Sequence, residues 1–436
     1  MAVDRAPRPP EATVHSHGAH AEHAPAGPPP GTPAATARRR LHRLLAAVLV
    51  PLVLLTIAAL AVLWPNGDAV DRFPSGLGPQ TDLVRAELLT RQVVPCPERA
   101  GGELVPILPT PEDVPGVGQT ECISTTVRLL SGPQEGAEFV LDALSTPIAP
   151  FPETGRVLLS YEPEAAPGDQ YAFADVERRN PLLLLGAVFA VAVVALGRWT
   201  GLRALLGLGL SLLVVTLFVL PALLAGSNAL LIALVGSAAV MFTVLYLAHG
   251  VRVQTSIAVL GTLASLILTV VLAEVFVRAA ALTGLGSDET SLISATVGTL
   301  DLRGLLLAGI VIGSLGVLDD VTVTQSSAVW ELHLANPTAS ARELYRAGIR
   351  IGRDHIASTV NTLVLAYVGA SLPLLVVYSL AGSAVQDVLT SEVVAQEVVR
   401  TLVGSIGLVA AVPLTTLLAA LTVRVDRVPA EPAATG

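Results

Sequence analysis

Asp319 and Asp320 stand side by side inside an apolar run, 305–329. A carboxylate at the centre of a membrane-embedded helix costs about 2.5–3.5 kcal/mol on insertion scales. Side chains kept at that cost are the first candidates for proton or cation chemistry. Two adjacent carboxylates also repel when both are charged, which favours exchange of a proton or a cation. Their helical neighbours extend the signal. Gly309, Gly313, Gly316, Asp320, Thr324, Ser327 and Glu331 recur at offsets of three, four and seven, so one stripe of the helix is first small and then polar.

The next apolar run carries a second stripe. Asp354, Ser358 and Asn361 fall at offsets of four and three, with Thr362 on the adjacent face. If the two helices turn these stripes toward each other, they form an intramembrane pocket. Asp319, Asp320 and Asp354 would be its coupling carboxylates, and Thr324, Ser327, Glu331, Ser358, Asn361 and Thr362 its polar lining. The competing arrangement is structural, with Asp319 or Asp320 paired to Arg350 or Arg353 to lock the helices. Intramembrane aspartyl proteolysis needs a Gly-x-Gly-Asp element and a separate Tyr-Asp. Gly316-Val317-Leu318-Asp319 breaks the first and no span holds the second, so the chain is not read as an enzyme. A phosphate-binding loop of the Gly-x-x-x-x-Gly-Lys type is ruled out because all 26 basic residues are arginine, and no cofactor is implied.

The elements that must position these groups are legible from composition. Hydrophobic residues make up 52% of 436 and charged residues only 14%, with a mean hydropathy of +0.67. Crossing a ~30 Å hydrocarbon core takes roughly 20 apolar residues, and about eight such runs occur: 44–63, 181–197, 204–224, 229–248, 256–276, 305–329, 356–380 and 401–423. The expected fold is an all-α membrane bundle of about eight transmembrane helices, with a small β-rich extracytoplasmic domain between the first and second spans. The first run is longer than the apolar core of a cleaved signal peptide and reads as a signal-anchor. Arginines cluster at 38–43 and again at 342–353, so the positive-inside rule places both termini in the cytoplasm. The net charge of −9 implies no nucleic-acid partner.

The expected domains are a disordered tail over 1–43, the anchor at 44–63, the β-rich segment at 64–180, a seven-helix membrane domain at 181–424 and a short tail at 425–436. Within the first tail, His15, His17, His20 and His23 form a loose tract that reads either as a solvated tail or as donors for zinc, nickel or copper. The only two cysteines, Cys96 and Cys122, fall in the β-rich segment, where a disulfide is one reading and two free thiols the other. Between the sixth and seventh runs, Ser340 and Glu343 have capping-box spacing. The helix they open would carry Arg342, Arg346, Arg350 and Arg353 along one side, facing anionic lipid headgroups or coupling the two polar spans.

A set of segments then stands out: Gly316-Val317-Leu318-Asp319-Asp320-Val321, Ser326-Ser327-Ala328 with Glu331, Asn336-Pro337, Glu343-Leu344, Gly348, Ile351-Gly352-Arg353-Asp354, and Asn361 through Gly369. Together they resemble the YibE/F-like family of bacterial multi-pass membrane proteins, most strongly over residues 310–375. The resemblance implies a bacterial plasma-membrane location and singles out Asp320, Ser327, Glu331, Asp354 and Asn361, without implying a reaction. Asp319 and His355 depart from the family pattern. The expected function is a secondary transporter or permease-like protein acting on a small solute or ion in the lipid bilayer. The alternative is a non-transporting sensor or assembly component whose carboxylates are structural, with room for a homo-oligomer in either case.

Overall fold

The computed structural model describes residues 32–65, 82–95, 121–144, 155–165, 170–286, 301–382 and 384–426. The chain divides into two compact units, 64–227 with 288–300, and 1–63 with 228–287 and 301–436.

In the first unit five strands form one antiparallel sheet: β1 (Asp82–Pro95), β2 (Glu121–Leu129), β3 (Glu138–Leu144), β4 (Arg156–Tyr161) and β5 (Tyr171–Val176). Their spatial order, β3-β2-β1-β4-β5, is a Greek key, in which three hairpin-connected strands are followed by a fourth beside the first. Alternation builds it. Val84, Ala86 and Leu88 on β1 point to one face together with Val127, Leu129, Val157 and Leu159, and all are buried. The register sets Ala86 opposite Leu129 and Val84 opposite Leu159. On the two edge strands, Phe139 and Tyr171 bring their ring centroids to 4.9 Å. The sheet therefore curls until its edges meet over the core, and it is a single curled sheet rather than two stacked ones.

The same unit continues into α2 (Arg179–Val214), a π-helical turn (Val215–Val219) and α3 (Leu220–Leu224). At Arg198 the backbone takes φ 50 and ψ −127 and breaks α2. Gly201 then presses on the Val193 carbonyl, where a side chain would collide.

The second unit contains α1 (Pro33–Leu63), α4 (Ala229–His249), α5 (Val253–Ala279), α6 (Leu302–Ala335), α7 (Ala341–Ala370), α8 (Leu372–Leu380), α9 (Val385–Thr390) and α10 (Glu392–Asp426). Its centre is the three-way packing of α5, α6 and α10, with α4 against α6 and α7 against α10. Val259, Leu266, Ile310, Leu318 and Leu408 fill that centre. The first helix begins at Pro33, ahead of the expected span start, and Arg38 meets Asp426 at 3.3 Å. The beginning of α1 and the end of α10 thus lie on the same side of this unit.

Among the described residues six helices are long and apolar enough to cross a membrane, or seven when α7 and α8 count as one span bent by 57°. Pro373, at the start of α8, removes a backbone donor at that bend. The difference from eight lies in 179–224, which forms one helical stretch interrupted at Arg198 rather than two separate helices. Large apolar side chains such as Leu55, Val62, Leu184, Val191 and Leu196 stay exposed along these helices, as lipid-facing residues do. This is a multi-pass membrane protein. The histidine tract and Cys96 lie outside the described residues. Cys122 lies in β2 opposite Val94, and its pairing with Cys96 is likewise outside them.

Candidate functional site

Helix α6 starts where the Asp301 side chain accepts the Gly304 amide at 2.9 Å, and runs unbroken past both aspartates to Asn336 and Pro337. It places Asp319 against α5. The carboxylate lies within hydrogen-bonding reach of the Thr262 hydroxyl, and its Oδ1 is inaccessible and without a partner. Thr262 in turn meets Thr322, one turn along α6, at 2.7 Å between hydroxyls. Among the described residues neither aspartate forms an ion pair, with Arg350, Arg353 or any other cation.

This carboxylate belongs to a seam of hydroxyls and amides between α5, α6 and α10. Thr262, Ser265 and Thr269 on α5, Ser314, Thr322, Gln325 and Ser326 on α6, and Ser405, Thr415 and Thr416 on α10 are all buried. Gln325 donates to the Gly348 carbonyl on α7 at 2.8 Å and to the Thr416 hydroxyl on α10 at 2.7 Å, so one amide joins three helices. Gln254 on α5 donates to Ser327 at 2.7 Å, and Ser326 donates to the Gln254 carbonyl at 3.0 Å. Glycines permit the close approach. A Cβ on Gly261 would strike Thr415, one on Gly407 would strike Thr269, and one on Gly352 would strike Val412.

The residues expected from sequence are distributed as follows. Asp319 is at the seam, and Ser327 borders it through Gln254. Asp320, Thr324 and Glu331 lie on the exposed face of α6, in line with Gly309, Gly313 and Gly316. On α7 the residues turned toward the other helices are His355, Thr359, Leu363 and Tyr367, whereas Asp354, Ser358, Asn361 and Thr362 are exposed. The two stripes therefore do not face each other. Thr362 donates to the Ser358 carbonyl of its own helix at 3.0 Å. Arg342, Arg346, Arg350 and Arg353 are exposed on α7, opposite Leu344, Gly348 and Gly352, which are buried. The capping box forms as its spacing predicts, with Glu343 accepting from the Ser340 amide at 2.8 Å. No group of three His, Cys, Asp or Glu side chains able to hold a metal occurs among the described residues.

Sequence reasoning missed Thr262, Thr322, Gln325, Thr415 and Thr416. The available signals were a glutamine inside an apolar run and the small-x-x-x-small pair Gly348 and Gly352.

No curated protein and no solved structure matches this chain. The model of the YibE/F-like protein family matches residues 185–425, which include the seam, α7 and every membrane helix except α1. The helical region that builds the site is the region the family shares, and the chain belongs to the YibE/F-like family.

Proposed function

We propose that this protein is a secondary transporter in which Asp319 is the carboxylate that takes up and releases a proton or cation. One observation carries the reading: the buried Asp319 oxygen that no side chain or backbone group satisfies, set beside the Thr262 and Thr322 hydroxyls. An isolated charge in that position must be neutralised by something it binds. The hydroxyls of Ser265, Ser405 and Thr415, also without hydrogen-bond partners, supply further oxygens along the same seam. In this reading the break at Arg198 separates two consecutive spans, and α7 with α8 makes one bent span, which gives eight crossings. The arginine clusters near the helix ends support a reading with both termini in the cytoplasm of a bacterial cell.

The test is gradient-driven accumulation of small organic anions and metal cations in proteoliposomes under an imposed pH or sodium gradient. Wild type accumulates a solute above protein-free liposomes, and Asp319→Asn abolishes the gradient-driven part while keeping the wild-type melting temperature. A wild-type protein that accumulates nothing under either gradient overturns the reading.

A second reading, an assembly component without transport, is favoured by a different observation. The Asp354, Ser358, Asn361 and Thr362 face is uncovered in the single chain, and polar groups facing lipid are costly. A second copy or another membrane protein covering that face would satisfy them. Disulfide cross-linking of Asn361→Cys in a Cys96→Ser, Cys122→Ser background, carried out in native membranes, tests this. A cross-linked product supports assembly through α7, and a monomer throughout removes the argument.

A further inference from the structure

About 15 Å along α6 from Asp319, toward the helix start, by the 1.5 Å rise per residue, a second polar cluster sits where α6, α7 and α10 approach. Arg400 on α10 gives its Nη1 to Glu397 at 2.8 Å. That leaves the other edge of the guanidinium. Its Nε is buried with no partner, and its Nη2 lies 3.8 Å from where a Cβ on Gly309 would be. Gly313, one turn on, brings α6 backbone to the Tyr367 hydroxyl, 3.6 Å from its own missing Cβ. Tyr367 is also within electrostatic reach of both Arg400 and Glu397.

The Nε and Nη2 edge of arginine is the edge that takes a carboxylate through two parallel hydrogen bonds. Glu397 holds the guanidinium by its far end and so orients this edge without using it. Beside the cluster lies a crevice of about 250 Å³, walled by Val364, Val368, Leu375, Val398 and Leu402, with Tyr367 and Glu397 also on its lining. It is smaller than the ~300–1,000 Å³ pockets that hold drug-sized ligands. Glu397 already offsets the single cation, so the cluster has no excess charge for a multiply charged phosphate, and what it offers a carboxylate is the paired-donor edge.

We infer that Arg400, Tyr367 and the Gly309 and Gly313 track form a binding site for a small monocarboxylate with a short apolar tail, the tail entering the crevice beside Tyr367. This rests on the transport reading and deepens it by naming a substrate class.

Equilibrium binding to the purified full chain in lipid nanodiscs tests the site independently of flux. The probes are benzoate and hexanoate, with benzamide, hexanamide and inorganic phosphate as controls. Both carboxylates bind, and the two amides and phosphate bind at least about tenfold more weakly, since loss of a charge-assisted pair costs roughly 10- to 100-fold. Arg400→Gln removes the preference for acid over amide, and Tyr367→Phe weakens both acids. Gly309→Leu blocks the Nη2 edge without changing charge, and covers the case in which Arg400→Gln does not fold. Equal affinity for acid and amide, phosphate binding above either acid, or unchanged benzoate binding by folded Arg400→Gln or Gly309→Leu protein overturns the site. Arg400-dependent binding without gradient-driven uptake sinks transport alone. Asp319-dependent uptake without such binding sinks this site alone.

Discussion

The side-chain amide of Gln325 donates to the hydroxyl of Thr416 at 2.7 Å, and the same Nε2 donates to the Gly348 carbonyl at 2.8 Å. Three helices that hydrophobic contact alone would leave free to slide are thereby fixed in register at one level of the bundle.

Gln325→Leu keeps the approximate volume and removes both bonds. Hydrogen bonds between membrane helices are worth roughly 0.6 kcal/mol each and at most about 1.7. The variant should lose about 1–2 kcal/mol, read as a lower melting temperature in detergent, and Thr416→Val should account for about half of it. A Gln325→Leu protein as stable as wild type would show that the amide is not what holds α7.

Gly352→Ala should cost more than its single methyl suggests. The new Cβ meets Val412 and comes to 3.0 Å from the Gln325 side-chain amide oxygen, and Gly348→Ala meets Thr416 at 2.7 Å. Overpacking of this kind costs about 1–3 kcal/mol. Gly316→Ala on the exposed side of α6 meets nothing within 4 Å and should be neutral or slightly stabilising. Parallel thermal melts of the three variants check the contrast.

Accessibility separates the two polar stripes. In a background with Cys96 and Cys122 replaced by Ser, a cysteine introduced at Asn361, exposed on α7, should react readily with a small thiol reagent in detergent-solubilised protein. One at Thr322, which is fully buried, should react far more slowly. Fast labelling at Thr322 would show that the seam is open to water.

In the sheet unit, the Arg178 guanidinium donates to Asp175 at 2.7 Å and holds its carboxyl below the usual carboxylate range, helped by the Val176 amide. A depressed folded-state value stabilises above the unfolded value near 3.9, and that stability is lost as pH falls through the folded value. Arg178→Ala should therefore leave melting at pH 7 little changed, because the pair is exposed. The variant should flatten the drop in stability as pH falls below the ordinary carboxylate range. An acid melt that keeps the wild-type slope would remove Arg178 as the cause.

The acidic pair, the capping box at Ser340 and a β-rich segment ahead of the second span were all readable, because each is a local pattern. The orientation of α7 was not. A 3.6-residue period relates Asp354 to Asn361 along one helix, but which angle meets the partner is set by Gly348 and Gly352, and these bury the opposite side. The hydroxyl seam was hidden for another reason. Thr262, Thr269, Ser314 and Thr416 each also donate to the carbonyl four residues earlier, as such residues do in any membrane helix. Only the distance to a second helix distinguishes them. The interruption at Arg198 was legible, since the expected runs end at 197 and resume at 204, but not that the helix resumes there without a loop.

Anchorage of α7 is confined to its beginning: Leu344, Gly348 and Gly352 are the only residues of this helix that are buried, and the remaining turns keep partial contact at most. The helix is consequently held like an oar in a rowlock near Gly352. A small tilt at that fulcrum would sweep Tyr367, roughly 20 Å farther along at 1.5 Å per residue, across the glycine track of α6. Amide hydrogen exchange would register this as a gradient along one continuous helix, slowest at the rowlock and quickest toward Ala370.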